Sequence, residues 1–518
     1  MKKSIMALLL ATAAIAAPAT ISARQTITEA TDSIKNIYKQ AQAGNPDAQV
    51  TVGGWFYQGR HVDQDYDAAA QWWAKAAKTG NKKAVGFLGL CYQGGRGVER
   101  DSIRAAGLYT RSLREGNKEL MKSLIESADK GNLFSLVYVA RCYQQGIGVK
   151  KDLHKAAAYY EKASKKGSVD ADRELALLLL NNKQDSEAAT YFKKAADKGD
   201  IPSTFYYGKL LAEGKGVSKD PTQGMIYMQK AADADFANAQ LYLGRAYYDA
   251  NGVRKSPETG YSWMLKAARN GNSNAMYQVA MKEVEGDGTP LDYEQATLWF
   301  GKAVAEHHGK AFAKAVNPDG DLAASPYLTF LQAKEAIASD KFDVALKKAK
   351  DLQKSKTAAI AATGTTLEGI ILCNKDYAKR DLKKGAKLLE KASSQGNVTA
   401  KYILGAMYET GLGVTKDSGK ATDLLTQAAK GGNAHAQSYL GDMLYEGRGV
   451  KQDYAKAVKC YLTAGPLITE SAAKHLAACY EDGLGGLKAD KAKAQEILKE
   501  DHTPTLPLLV KLLPAQGK

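Results

Sequence analysis

The sequence is poor in the residue types that build disulfide frameworks and metal sites. Among its 518 residues there are 5 cysteines and 7 histidines. Because so small and odd a number of cysteines cannot form a dense disulfide network, a disulfide-stabilised fold is excluded. No histidine stands in an HExxH or Cys/His metal-binding spacing, and no nucleophile is paired with a base in a recognisable catalytic set. We therefore expect no metal, no cofactor and no enzymatic activity.

Long apolar runs are also missing, except at the start of the chain. Two lysines, Lys2 and Lys3, precede an uncharged run from Ser4 to Ala23 that has an apolar middle and a small-residue end. This pattern predicts a signal peptide over residues 1–23. Its strongly apolar part, Ile5 to Ala17, is shorter than the roughly 20 residues of a membrane-spanning helix, so cleavage is favoured over an uncleaved membrane anchor. We expect a protein exported to the periplasm or secreted.

Acidic residues are outnumbered by basic ones. There are 72 lysines and arginines against 56 aspartates and glutamates, which gives a formal net charge of +16. Such an excess favours anionic partners, and a basic groove that binds an anionic cell-envelope glycan is one alternative function. No nucleic-acid recognition motif is present, so we predict no nucleic-acid partner.

One short sequence motif recurs many times along the chain. It is clearest from Gly447 to Asp453, a seven-residue segment with the pattern Gly-x-Gly-Val-x-x-Asp. The first glycine ends a helical apolar pattern, where a left-handed residue is least costly as glycine, and the aspartate begins the next pattern as an N-cap. Each copy therefore predicts a turn between two helices. Further copies begin at Gly95, Gly146, Gly214 and Gly411.

The predicted helix pairs recur with a commonest step of 36 residues, which indicates an array of two-helix units. In one first helix, Ala84, Leu88, Gly89 and Tyr92 fall on a single face, where the small residues allow the second helix to approach closely. The units begin at Gly44, Gly80, Gly131, Gly199, Asp235, Gly271, Gly396 and Gly432.

These units resemble Sel1-like repeats, which are relatives of the tetratricopeptide helix pair with a glycine-containing loop. The shared pattern is Ala, Leu-Gly, Tyr, Gly-x-Gly-Val, Asp and Lys-Ala-Ala, and its repetition makes the resemblance specific. The resemblance implies an all-α fold, an α/α solenoid of two-helix repeats that forms a curved superhelix. It also implies a scaffold or adaptor that docks a protein or peptide partner in its concave groove.

Departures from the repeat divide the chain. We expect one extra helix between Gly116 and Gly131, and a helix pair near Pro326 to Ser339 and Phe342 to Lys354 after the repeat signal stops. The predicted regions are a capping helix over 24–43, an array over 44–308, a degenerate helix-pair connector over 309–356, a second array over 357–502 and a C-terminal cap over 503–518.

Partner binding is expected at first-helix positions that the repeat pattern does not determine. Arginine and tyrosine are common in protein interfaces, so clustered Tyr and Arg would favour a protein partner, whereas a lysine-dominated groove with steep salt dependence would favour a glycan. Ordinary solvated surface is the alternative for each residue. The candidates are Arg141, Gln144, Lys209, Arg245, Tyr248, Asp442 and Tyr445.

A third function, a cell-wall-directed enzyme, depends on a single pattern. Ser471 and Lys474 form a Ser-x-x-Lys, as in penicillin-binding enzymes, but neither Ser-Asp-Asn nor Lys-Thr-Gly follows it. A chance match on an amphipathic repeat helix explains these residues better.

One disulfide is a hypothesis. Cys460 lies on the second helix of one unit and Cys479 on the first helix of the next, so the two residues can meet across neighbouring helices. Cys479 also precedes a tyrosine, as Cys91 and Cys142 do, which indicates a small buried packing residue.

Overall fold

The computed structural model describes residues 32–308, 311–313, 322, 325–500 and 502. Within these ranges there is no strand, and helices follow one another in consecutive antiparallel pairs. The predicted all-α solenoid is therefore confirmed. The predicted signal peptide (1–23) and C-terminal cap (503–518) lie outside the described residues, as do the start of the capping region and much of 309–324. No helix in the described ranges is long and apolar enough to cross a membrane.

The chain divides into two compact units, which meet in sequence at Asp200 and Ile201. The first unit contains α1, where the capping helix was predicted, and α6, the extra single helix predicted between two pairs. Its helices are α1 (Asp32–Gln42), α2 (Pro46–Gln58), α3 (Tyr66–Lys78), α4 (Lys82–Gly94), α5 (Ser102–Arg114), α6 (Lys118–Asp129), α7 (Leu133–Gln145), α8 (Leu153–Lys165), α9 (Val169–Asn181) and α10 (Asp185–Ala196).

The second unit contains two runs of helix pairs with another helix pair, α17 and α18, between them. That intervening pair lies where the sequence predicted it. The helices are α11 (Ile201–Glu213), α12 (Pro221–Asp233), α13 (Ala237–Asp249), α14 (Pro257–Arg269), α15 (Ser273–Glu285), α16 (Tyr293–Ala303), α17 (Pro326–Ala338), α18 (Phe342–Gln353), α19 (Ala358–Cys373), α20 (Leu382–Ser394), α21 (Val398–Thr410), α22 (Ser418–Lys430), α23 (Ala434–Glu446), α24 (Tyr454–Ala464), α25 (Glu470–Asp482) and α26 (Lys491–Ile497).

The loop between paired helices has the conformation that its sequence predicts. Gly447 ends α23 in the left-handed region at φ +70°, and its amide donates to the carbonyl of Met443. Asp453 then caps α24, because its carboxylate accepts a hydrogen bond of 2.9 Å from the amide of Lys456. The loop therefore satisfies backbone groups at both helix ends that the helices cannot satisfy internally.

Small residues on the first helix determine how closely the second helix packs. A Cβ atom added at Gly441 of α23 would lie 2.4 Å from the ring of Tyr461 on α24. At the same repeat position of α13, a Cβ atom on Gly244 would lie 2.5 Å from the side chain of Met264. Both distances are far below van der Waals contact, so these positions require glycine for the observed packing.

Candidate functional site

The candidate binding residues all lie on first helices, but their exposure differs. Arg245 is exposed, five of the others are half-buried, and Asp442 is buried with 8% of its surface exposed. The seven therefore do not form one uniform surface. In the first unit they are Arg141 and Gln144 on α7, and in the second they are Lys209 on α11, Arg245 and Tyr248 on α13, and Asp442 and Tyr445 on α23.

In the first unit, the candidate residues contact the second helix of their own pair. The hydroxyl of Tyr160, on α8, donates to Oε1 of Gln144 over 2.7 Å. Tyr160 is fully buried, and this burial raises the pKa of its hydroxyl, while the charge of Arg141 acts in the opposite direction. Gln144 thus accepts a hydrogen bond from a buried hydroxyl of its own helix pair, and the charge of Arg141 acts on the same hydroxyl.

A cross-repeat patch on α13, α15 and the loop after α15 consists of Arg245, Tyr248, Gln278, Lys282 and Asp287. Arg245 Nε donates to Gln278 Oε1 over 3.2 Å, and the Tyr248 hydroxyl donates to the Asp287 carbonyl over 2.8 Å. The ammonium group of Lys282 lies 4.6 Å from the centre of the Tyr248 ring and 2.7 Å from the Asp287 carboxylate. Arg245 and Tyr248 are therefore brought together by the next repeat, at a surface that water reaches.

Lys209 lies within a surface ion-pair group on α11. Its ammonium group is 3.9 Å from Glu213, whose carboxylate also pairs with Lys215 at 2.7 Å. Exposed pairs of this kind are worth little in stability, and they leave the group accessible to a ligand.

A histidine cluster surrounds the two candidates on α23. Asp442 Oδ1 accepts from the Tyr461 hydroxyl over 3.0 Å and lies 2.9 Å from His475 Nδ1. The imidazole of His475, on α25, stacks on the Tyr445 ring with 4.2 Å between centres, and its Nε2 is 3.7 Å from Glu446. Asp442 is thus a buried acceptor that joins three helices, while Tyr445 and His475 present a half-exposed aromatic stack.

The patch and the histidine cluster share a pairing rule that sequence reasoning missed. Arg245 with Gln278 and Asp442 with His475 are both separated by 33 residues, and both join one first helix to the next. Because the repeat step is close to this separation, complementary residues 33 apart were the available signal for Gln278 and His475.

Another first-helix surface, on α21 and α23, is covered by the chain itself. Thr399 Oγ1 donates to Asp292 Oδ1 over 3.4 Å across 107 residues of sequence, and the Ala434 amide donates to Gln295 Oε1 over 3.1 Å across 139 residues. The start of α16 is therefore folded back onto the starts of α21 and α23. We call this contact the internal closure.

The internal closure contains buried ionisable groups. Glu294, almost fully buried, pairs with Lys334 of α17. His435 is 1% exposed, and neither of its ring nitrogens has a hydrogen-bond partner among the described residues. Burial lowers the pKa of His435 to about 4 and raises the pKa of Asp292 to about 6. Neutral imidazole is therefore the form that this site accommodates near pH 7.

The two cysteines of the hypothetical disulfide are free thiols in the structure. Cys460 is half-buried and Cys479 is buried. Burial raises the pKa of both thiols, which makes them less reactive than an exposed cysteine. Their pairing after export stays a prediction.

The Ser-x-x-Lys pattern lies on the outside of α25. Ser471 is exposed, and Lys474 forms an ion pair of 2.8 Å with Glu470 at the surface. No group of three or more histidine, cysteine or acidic side chains that could hold a metal ion occurs in the described part of the chain.

Comparison with known proteins adds a family match. A family model described as Sel1 repeat matches eleven segments that together cover well over half of the chain. The segments are residues 46–81, 83–117, 134–168, 182–200, 201–236, 237–272, 273–308, 370–397, 398–433, 434–465 and 471–500.

Two solved structures are similar to this chain. A protective antigen present in uropathogenic Escherichia coli strains is 22% identical with a TM-score of 0.35, and the alignment covers 94% of this chain and 98% of that one. A Sel1 repeat protein from Oxalobacter formigenes is 25% identical with a TM-score of 0.37, over 56% of this chain and 82% of that one. Because both TM-scores are below 0.5, the family match alone carries weight. No curated protein sequence matches the chain significantly.

Proposed function

The chain belongs to the Sel1 repeat family, and from that premise we propose that it is an exported scaffold that binds a protein or peptide partner on its exposed first-helix surfaces. Sel1 repeat solenoids are generally scaffolds for protein–protein interaction and are typically non-enzymatic. A rigid stack of helix pairs presents side chains from consecutive repeats at regular spacing, which suits binding of an extended partner.

The observation that best supports this proposal is the cross-repeat patch. Arg245 and Tyr248 supply an exposed guanidinium and an aromatic ring, both common in protein interfaces, and they are held in place by contacts with α15. Arg245 is exposed and therefore available to a ligand, whereas the half-buried ring of Tyr248 also packs against Gly260 of α14.

The test is capture from native envelope extract with the mature protein, residues 24–518. A charge-reversing change at the patch, Arg245→Glu, is compared with Arg254→Glu, which alters an exposed arginine in the loop after α13. We expect a discrete protein that the parent and the Arg254 variant retain and the Arg245 variant loses. Equal retention by all three would contradict the proposed surface.

The same experiment addresses the glycan alternative. If polysaccharide alone is retained, and moderate salt releases it, the interaction is with a basic surface and screened by ions, so the scaffold proposal is replaced by glycan binding. Export is tested separately, by the mass of the N-terminus of the protein isolated from its host: a chain that begins within a few residues of position 24 is expected.

A further inference from the structure

The internal closure is small in comparison with the interfaces around it. The two helices of each pair in the second unit pack closely, whereas α16 meets α21, α23 and the turn Gly465–Leu467 through only a few residues. The direct hydrogen bonds across it are those from Thr399 to Asp292 and from Ala434 to Gln295. Cooperative folding units are formed by broad apolar interfaces, so a contact of this size is a natural boundary between two of them.

The closure is also poorly satisfied in hydrogen bonds. Both ring nitrogens of His435 are buried without a hydrogen-bond partner among the residues that the structure describes. In the described ranges the same is true of Trp299 Nε1 on α16, Arg269 Nε on α14 and Glu283 Oε2 on α15. Arg269 packs directly against Gly465, where an added Cβ atom would lie 3.2 Å from its Cγ. The ring nitrogens of His435 gain water as a hydrogen-bond partner when the contact separates, which lowers the free energy of separation.

What the closure covers is a surface that other repeats leave accessible. Tyr402 and His435 stack with 5.9 Å between ring centres, and each is 1% exposed. At the repeat position of His435, the residues of α13 and α15 are Asn238 and Asn274, and both are exposed. The covered rings therefore occupy a surface position, and only the return of α16 removes them from water.

We propose that the start of α16 is a lid that separates from α21 and α23 while every helix pair remains folded. The open state exposes Tyr402 and His435 to solvent. The closed state described above is then the form in which the first-helix surface of α21 and α23 is blocked to any ligand.

The amide of Ala434 reports directly on the lid. It is the first amide of α23, before the internal hydrogen-bond ladder of the helix begins, and it donates to the side chain of Gln295. Met443 lies in the same helix, fully buried, and its amide is protected by the ladder itself. The two amides therefore separate opening of the lid from unfolding of the helix pair.

The experiment is native-state hydrogen exchange of the mature chain at increasing urea, resolved to the segments that contain these two amides. If the lid opens independently, Ala434 exchanges faster than Met443 at low urea, with a weak dependence on urea, and the two rates converge only near global unfolding. If both amides follow the same urea dependence from the lowest concentration upward, the closure opens only when the unit unfolds, and the proposal is wrong.

A variant gives a second, independent readout. Gln295→Ala removes the acceptor, so exchange of the Ala434 segment is expected to rise about tenfold with the Met443 segment unchanged. Gln229→Ala, which removes a side chain that bonds only within α12 in the described structure, is the matched control and leaves both segments unchanged. An equal rise at Ala434 and Met443 in the Gln295 variant would show a loss of global stability and overturn the independent lid.

Discussion

The same repeat positions have opposite environments on α13 and α23. Arg245 is exposed, while Asp442, at the equivalent position, is buried beneath Tyr461 and His475. Gly244 and Gly441, by contrast, face the second helix in the same way in both repeats. The repeat pattern therefore determines the packed side of a first helix, whereas the environment of its other side depends on which part of the chain returns to cover it.

The largest effect is expected on the packed side of the first helix, where Gly244 of α13 and Gly441 of α23 have the same environment. Gly244→Val and Gly441→Val each place a branched side chain within 2.5 Å of the facing second helix, so we expect each to cost about 3 kcal/mol or more in urea-induced unfolding. Gly301→Val, at a helical glycine whose Cβ would meet nothing within 4 Å, is the control and should cost less than about 0.5 kcal/mol. Comparable losses in all three variants would contradict the packing argument.

Helix pairs, their connecting turns, the extra helix and the helix pair α17–α18 were all predictable from sequence, because each follows from local chemistry. Gly447 can end a helix in the left-handed region and Asp453 can cap the next one whatever surrounds them. The internal closure was not predictable in this way. Nothing in the repeat around His435 shows that Gln295, 139 residues before Ala434, will return to cover it.

The candidate site was predictable only in part, for the same reason. Arg245 and Tyr248 were chosen as positions outside the packed face, and the structure leaves Arg245 exposed but Tyr248 half-buried against Gly260 of α14. The choice of Asp442 by the same rule led to a buried residue, because His475 and Tyr461 draw its carboxylate into a hydrogen-bonded cluster. A rule based on periodicity treats all repeats as equal, and it cannot detect a partner supplied by an individual neighbour.

A second prediction uses the titration of His435 in the covered region. Its pKa is about 4 when folded and about 6.5 when unfolded, so its contribution to stability is present above pH 6.5 and is lost as pH falls through 4. The difference of 2.5 pKa units corresponds to about 3 kcal/mol. Between pH 7 and pH 3.5 the parent should therefore lose about 3 kcal/mol more in free energy of unfolding than His435→Leu, measured by urea unfolding.

The control for this titration is Asn238→Leu, at the equivalent open position, which should leave the pH dependence of stability unchanged. Glu294 and Lys334 act on His435 with opposite signs, and Tyr402 stacks on it, so none of the three replaces burial as the main cause of the shift. An unchanged pH profile in the His435 variant would mean that water reaches the ring in the folded protein.

The third prediction compares the matched pair Asp442 and Arg245 directly. Asp442→Ala leaves the Tyr461 hydroxyl and His475 Nδ1 without their buried acceptor, so we expect a loss of about 2 kcal/mol in free energy of unfolding. Arg245→Ala removes an exposed side chain and should cost less than about 0.5 kcal/mol. Similar losses in the two variants would show that Asp442 and Arg245 do not differ in burial.

The fourth prediction compares the N-caps of two second helices. Burial raises the pKa of Asp292 to about 6, so its contribution to stability is present below about pH 3.8 and is lost as pH rises through 6. Asn keeps the cap, so Asp292→Asn should be more stable than the parent by about 1 kcal/mol at pH 7 and equal to it at pH 4. The half-buried position of the carboxylate reduces the effect.

Asp453, the N-cap of α24, should respond with the opposite sign. Hydrogen bonds from the Lys456 amide and its side chain lower the pKa of Asp453, so its contribution is present at neutral pH and lost on acidification. Asp453→Asn is therefore expected to be less stable than the parent at pH 7, with the difference fading at low pH. The same shift in both variants would show that the internal closure does not alter its N-cap.

The smallest effect separates a hydroxyl contact from a ring contact at equivalent positions. Tyr248 bonds through its hydroxyl to the Asp287 carbonyl, whereas Tyr445 packs through its ring face on His475. Tyr248→Phe should cost about 0.5–1 kcal/mol in urea unfolding, because the carbonyl loses its donor at a half-exposed site. Tyr445→Phe keeps the stack and should be close to neutral. If the order is reversed, the Tyr445 hydroxyl contributes to the histidine cluster, and that cluster rather than the cross-repeat patch becomes the better place to begin mapping partner contacts.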